Sequence, residues 1–490
     1  MLKRLAMQSS HYAIGSALVT LASVISFPVL TRLLTVQEYG TLSLLASLLL
    51  LFTGLGKLGM QHSIVRFQAE VRARKRDVAE AEYVATVLMG LAMTGFLGSV
   101  AMAIASFMFP PRWWNNSQIA VLLLPVSAFI MVRALDSGVS NLFRAQQRSV
   151  AFNVYAVAKK YVVLATALGV MFFLFPRLEG FYIGTFAAEV ATTLIAAAYL
   201  WRAHHASIRG FSTPLFKAML IFGVPMIAFE ISGIVLNLGD RYVIQALLGS
   251  DALGQYSAAY NLCEYLQTML MASLVQAISP IYLRMWEDEG AAATRVFVER
   301  ALRFYVMAGA AVLAGVSAVG ADALVLLASE KYRAGAVVIP YVVAGMLLSG
   351  AIPIFAAGIY IHKQNHLMIP CVLASAVLNI ALNIWLVPIM GLRGAGVATL
   401  VSYVFVATCC WLLGLKRFSI SLPWLEILKF GLIAFVMYWI VTQVSTVNPV
   451  LTLIFKMVTG TLTYSLAVLA CDAEARKLVK KAWLPRLGRL

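Results

Sequence analysis

The sequence predicts an all-α integral membrane protein of about fourteen transmembrane helices, arranged as two pseudo-repeated six-helix lobes and a C-terminal helix pair. Composition, the spacing of apolar runs and an internal repeat predict it. The 490 residues are 61% hydrophobic and only 12% charged, with a mean hydropathy of +0.87. Soluble domains run at about 45–50% apolar and about 25% charged. A fold in water could not hide this much apolar surface, so lipid must be part of the solvent.

The apolar runs have spanning length, about 17–25 residues. The first six cover 11–33, 40–66, 82–109, 118–142, 153–175 and 180–201, and the next six 217–245, 253–281, 301–327, 334–360, 367–388 and 393–414. A last pair covers 425–445 and 450–470. Lys3 and Arg4 precede the first run as they would in a signal peptide. That run is too long and lacks an AxA-type site, so it reads as a retained span. An even number of spans puts both termini on one side.

Charge gives the side. Loops on the side of the N-terminus hold 26 Lys and Arg residues, against seven opposite: Arg32, Arg112, Arg177, Arg241, Lys331, Arg333 and Arg393. This bias places both termini in the cytoplasm. It also accounts for the net charge of +17 without nucleic acid, for which no basic soluble domain exists. Four of the five cysteines, among them Cys263 and Cys410, lie in apolar runs as small hydrophobes, and no CxxC or zinc pattern occurs.

The repeat has an offset of 214 residues. "RLLTVQEYGTLSL" (32–44) matches "ALLGSDALGQYSA" (246–258), with Gly40 on Gly254 and Ser43 on Ser257. "EGFYIGTFAAEV" matches "RGAGVATLVSYV" at the same offset, with Gly180 on Gly394. Six spans followed by six of like orientation form a parallel repeat, which in transporters places the substrate between lobes. The expected organisation is an N-lobe at 1–202, a cytoplasmic linker at 203–216 ("RAHHASIRGFSTPLFK" spans it), and a C-lobe at 217–415. A helix pair at 416–470 and a basic cytoplasmic tail at 471–490 complete it. The matched corners read as outer turns in which Gly40 and its equivalent open the next helix.

No GxSxG, HExxH or P-loop supports soluble-enzyme chemistry, so a transporter is expected and not an enzyme. His362 and His366 have helical spacing but no nearby carboxylate and read as a solvated loop. The sequon at Asn115 is too short a pattern to carry weight. No metal site or resident cofactor is expected.

Charge inside the membrane is more informative, because in lipid it costs several kcal/mol unless it meets a partner or a wet cavity. Lys57, in "GLGKLGMQHS", shares a helical face with Ser43, Ser47 and Gln61. Arg133, with Asp136 beside it, and Lys159 and Lys160 give the first lobe a cationic interior suited to an anionic substrate. Arg133 and Asp136 read equally as a structural pair. The second lobe differs in sign, carrying Glu230, Glu264 and the polar row Ser375, Asn379, Asn383, with Glu189 from span six grouped alongside. Glu189, Glu230, Glu264 and Asp136 are candidates for exchanging a coupling H+ or Na+. For each, the alternative is a structural hydrogen bond. Tyr256 and Tyr260 offer aromatic faces for sugar rings, and Arg32, Asp240 and Arg241 suit a gate or structural salt link.

Three motifs carry a resemblance. "TRLLTVQEYGTLSL" with "LGMQHSIVRF" resembles the N-terminal signature of the polysaccharide biosynthesis export family, the Wzx-type O-antigen and exopolysaccharide flippases. "GDRYVIQALLGSDALGQYSAAY" and "GLRGAGVATLVSY" are similar to its later signatures. The resemblance implies the fold of the multidrug/oligosaccharidyl-lipid/polysaccharide exporter superfamily. It also implies that undecaprenyl-diphosphate-linked oligosaccharide units move from the inner to the outer leaflet by alternating access. The partners would be the polyprenyl-diphosphate-linked glycan, the bilayer, a polysaccharide polymerase and glycosyltransferases. A lipid II flippase or a cation-coupled drug exporter of the same fold remains open, as does a membrane glycosyltransferase or polymerase. The largest loops, about twenty residues and basic, speak against the enzyme.

Overall fold

The computed structural model describes residues 2–108, 116–175 and 177–477. Arg112, the Asn115 sequon and the tail after Lys477 lie outside them. Among the described residues there is no strand, and 13 helices are long and apolar enough to cross a membrane. They fall in two compact units, 1–257 with 372–398 and 258–371 with 399–490.

The first unit begins with α1 (Leu2–Leu33), α2 (Val36–Gly56), α3 (Met60–Arg72) and α4 (Glu80–Met108). It continues with α5 (Ser117–Ser127), α6 (Phe129–Ala145), α7 (Ser149–Phe173) and α8 (Leu178–Ala203). Next comes α9 (Thr213–Asp288), whose apolar stretch Thr213–Met271 has 59 residues. At 1.5 Å per residue that is about 90 Å, three times the hydrocarbon core. Gly249, at φ 83 and ψ −178, breaks it, so α9 supplies two crossings and the total is fourteen.

Span 40–66 is not one helix. It ends at Gly56, and α3 leaves at a new angle after positive-φ residues Leu58 and Gly59. The α3 face Met60, Ile64, Phe67 and Val71 packs into a core with Tyr83, Val87 and Leu91 of α4, Val139 and Leu142 of α6, and Leu200 of α8. Two polar bonds lock it: the Tyr83 hydroxyl donates to Ile64 O (2.6 Å), and the Ser63 hydroxyl donates to Met219 O (2.6 Å).

The matched corners also differ from the expected turns. Thr35, not Gly40, starts α2 through a capping box. Its hydroxyl accepts from Glu38 N (3.1 Å), and the Glu38 carboxylate accepts from Thr35 N (2.8 Å). Gly40 and Gly254 both lie inside helices, where their missing side chains let the corners touch. A Cβ on Gly40 would fall 2.0 Å from Ser250 O, and one on Gly254 would fall 2.0 Å from Val36 O. Ser257 donates to Ser43 across the same contact (2.7 Å), joining positions 214 residues apart. Asn116 adds a stitch, its amide donating to Thr41 and Ser250 hydroxyls (2.9 Å each).

The second unit contains the end of α9, then α10 (Gly290–Leu327), α11 (Ile339–Phe355) and α12 (Ala357–Ile361). Most of α13 (Met368–Met390) and the start of α14 (Leu392–Leu415) belong to the first unit; the rest of α14, α15 (Trp424–Thr442) and α16 (Pro449–Cys471) complete the second. Ala318 of α10, Phe430, Ala434 and Met437 of α15, and Tyr464 and Val468 of α16 form one core. At one end of it Asp472 accepts from Arg303 (2.5 Å) and Lys429 (2.6 Å), and Glu426 and Glu474 also pair with Arg303. The outer face of α15 (Leu425, Leu432, Phe435, Trp439) is exposed and apolar, as a surface solvated by lipid requires.

Two outcomes test this packing. Gly40→Ala should lower stability by about 1–3 kcal/mol in detergent, since the new methyl meets backbone and cannot be accommodated by a rotamer change; an unchanged melting temperature would show that the corners part freely. Burial alone would raise the pKa of Asp472, but the Lys429 bond, the Ala475 N–H and Arg303 hold it down at about 2. A carboxyl lowered in the folded state stabilises it above the ordinary carboxyl pKa and loses that contribution as pH falls. Stability should therefore drop from about pH 4 to pH 2, and Asp472→Asn should flatten this part of the profile.

Candidate functional site

The break between α2 and α3 is built from the glycines of "GLGKLG". Lys57 caps α2, its N–H bonded to Thr53 O, and Leu58 follows at φ 47. Gly59, at φ 71, presses its backbone on Gly223 of α9, where a Cβ would lie 2.0 Å from the Gly223 carbonyl oxygen. This backbone contact sets Glu230, two turns further along α9, opposite the break. Lys57 Nζ lies 2.7 Å from Glu230 Oε1, Gln61 donates to Oε2, and His62 Nε2 is 3.6 Å from Oε2. Lys57 and Glu230 are 13% and 19% exposed, so the pair sits largely out of solvent among apolar helices.

Two further pairs join α6, α7 and α8. Arg133 makes a bidentate bond to Glu189, with Nε and Nη2 each 3.0 Å from a carboxylate oxygen. Lys159 Nζ is 2.7 Å from Asp136 Oδ1, which also accepts from the Tyr155 hydroxyl. Lys160 lies within electrostatic reach of Glu189 and Arg133 and makes no ion pair or hydrogen bond among the described residues. Four cations thus face three carboxylates.

The sequence-based expectations change accordingly. Arg133 and Asp136 do not pair with each other, because each has a better partner on a neighbouring helix. The opposite signs of the two halves meet in one pair, Lys57 with Glu230, while Glu189, in the first half by position, pairs there with Arg133. Both pairings relieve the cost of an uncompensated charge among apolar helices. Lys57 and Gln61 do not share one helix face; the break between α2 and α3 aims both at Glu230.

Other candidates lie elsewhere. Tyr256 is fully buried with its hydroxyl donated to Asp240, and Tyr260 is buried as well, so packed side chains cover both rings in this conformation. Glu264 is exposed, Asp240 and Arg241 are buried, and Arg32 is exposed at the end of α1. Ser375, Asn379 and Asn383 are fully buried on α13, and the Asn383 amide donates to Asn379 O (2.8 Å). Sequence reading passed over His62, which belongs to the Glu230 cluster, and the Lys456–Asp322 pair (2.6 Å) of the second unit. Both residues of that pair stand inside apolar runs, so intramembrane charge was the available signal.

Arg133→Ala strands Glu189 in an apolar setting and should cost about 3 kcal/mol. The double variant Arg133→Gln/Glu189→Gln should recover most of it in detergent melting curves. Equal losses in both variants would mean that the pair itself contributes little.

A family model described as "Polysaccharide biosynthesis protein" matches residues 6–286, more than half of the chain. Comparison with curated proteins finds no match. Among solved structures, the lipid II flippase MurJ in an inward closed conformation aligns with a TM-score of 0.75 at 13% identity, over 96% of this chain and 99% of that one. MATE in complex with MaL6 aligns at 0.60 and 15% identity, over 85% and 96%. The MATE multidrug transporter DinF-BH aligns at 0.61 and 17% identity, over 85% and 95%. At these identities the likeness establishes the fold, that of flippases and exporters, in a multi-pass membrane protein. With its family model covering the first nine helices almost entirely, the chain belongs to the polysaccharide biosynthesis protein family.

Proposed function

We propose that this protein is a flippase that moves undecaprenyl-diphosphate-linked oligosaccharide units from the inner to the outer leaflet of the bacterial cytoplasmic membrane, for surface polysaccharide synthesis. The observation that carries the reading is the set of partly buried cations Lys57, Arg133, Lys159 and Lys160 on apolar helices. A diphosphate head on a lipid tail is the ligand chemistry that needs cations and apolar helices together. MurJ, a lipid II flippase, has a similar fold, which supports a lipid-linked substrate here.

In this reading the lobes at 1–202 and 217–415 alternate access around the substrate, both termini are cytoplasmic, and Glu189, Glu230, Glu264 or Asp136 exchanges a proton or sodium ion. The cargo reaches the protein from membrane glycosyltransferases and leaves for a polymerase on the far side. No catalytic step is required of the chain.

The test is flipping of a labelled polyprenyl-diphosphate oligosaccharide in proteoliposomes, alongside surface polysaccharide in cells. Lys57→Ala should reduce both by about tenfold or more with normal protein level and insertion; unchanged transport would remove Lys57 from the site. Under imposed proton or sodium gradients, Glu230→Gln and Glu264→Gln should each be assayed for gradient dependence. Dependence surviving both changes would place coupling on another carboxylate.

A further inference from the structure

Three donors from one short segment converge on a single carboxylate. Lys57 Nζ, Gln61 Nε2 and His62 Nε2 all address Glu230. They stand at the α2–α3 break and on the first turn of α3, a 13-residue helix whose amino end carries no side-chain cap. Such an end bears partial positive charge, and its Met60 and His62 N–H groups are bonded to Lys57 O and Gly59 O (3.0 Å each), so the side chains are what address the anion. An ammonium, a carboxamide and an imidazole grouped there form the donor set that phosphate oxyanions take at helix amino ends. Glu230, from a different helix, is the oxyanion that occupies it.

The surrounding packing suits an exchangeable occupant. The break is held on α9 by backbone contact between Gly59 and Gly223, which does not involve the carboxylate. Beside Glu230 the wall is Gly54, where a Cβ would lie 3.1 and 3.3 Å from the Ile234 and Ile231 side-chain tips, which can rotate, and 3.8 Å from the carboxylate. His62 is 40% exposed, so the cluster has an open edge.

We infer that the 57–62 segment is an oxyanion subsite for the substrate's diphosphate, and that Glu230 is its resident competitor. The carboxylate fills the subsite when it is empty and is displaced when the headgroup enters. The inference rests on the flippase reading and deepens it. Its physical logic is charge balance. Without Glu230 the empty subsite would hold an uncompensated ammonium among apolar helices, at large cost. With it, one anion is traded for another, so the headgroup is bound tightly enough to enter and weakly enough to leave. Glu230 then tunes affinity downward, the opposite of what a residue that binds a cationic cargo would do.

The experiment measures binding of inorganic pyrophosphate and of geranylgeranyl diphosphate, with geranylgeraniol as the uncharged control, to the purified full chain in nanodiscs. Glu230→Gln keeps the side-chain shape and removes the charge; it should tighten both diphosphates by about tenfold and leave geranylgeraniol unchanged. Glu230→Asp keeps the charge but withdraws it by one methylene, and should give an intermediate gain. Lys57→Gln/Glu230→Gln should abolish the gain. Equal or weaker diphosphate binding by Glu230→Gln and Glu230→Asp would overturn the inference, and with a lowered melting temperature it would mark Glu230 as a structural partner only. If the wild-type chain prefers geranylgeranyl diphosphate to geranylgeraniol and the variants show no gain, the inference fails alone. If tightening of pyrophosphate is seen without any preference for the prenyl diphosphate, the subsite stands and the flippase reading falls.

Discussion

An ion among apolar helices is stabilised by a counter-ion, and most of the interior charges of the first compact unit are arranged in such pairs. Its three close pairs, Lys57–Glu230, Arg133–Glu189 and Lys159–Asp136, each join different helices or helix segments. They hold α2 to α9, α6 to α8 and α6 to α7 with directional contacts that lipid-solvated Leu and Val cannot supply, because apolar side chains gain nothing by leaving lipid for one another. The same constraint shapes the second unit, where Asp472 collects Arg303 and Lys429 at the end of the α10, α15 and α16 core.

Glycine does the complementary task of bringing backbones together. Gly40 and Gly254 let the two matched corners meet, and Gly59 and Gly223 let the α2–α3 break rest on α9. Both contacts place polar groups where no side chain could have delivered them: the Ser43–Ser257 hydroxyl pair at one, the Glu230 cluster at the other. The site therefore depends on small residues as much as on charged ones. Close approach fixes which helix faces which, and the charges then settle into the pairs that geometry permits.

Helical spacing alone picked out most of the residues that form the interior ion pairs. Lys57, Arg133, Lys159 and Asp136 stood out as polar positions within apolar runs, and Glu189 and Glu230 as intramembrane acids. Their partners were not legible. The 3.6-residue period tells which residues share a face of one helix, so it suggested Arg133 with Asp136, three residues on. It says nothing of the helix across from that face, and Glu189 lies 56 residues away. His62 escaped for the same reason, as its role exists only through Glu230 on α9.

Composition and periodicity by themselves determined that this is a membrane protein of fourteen crossings with a handful of intramembrane charges, because lipid imposes length and polarity on every segment independently. The repeat of "RLLTVQEYGTLSL" was likewise plain as sequence. Only the tertiary structure decided that Gly40 and Gly254 sit within helices and touch each other's corners. It alone decided that span 40–66 breaks after Gly56, and that Lys57, Arg133 and Lys159 each meet a carboxylate on another helix. Those outcomes depend on which helices become neighbours, a property of the packed unit that no single helix carries in its own sequence.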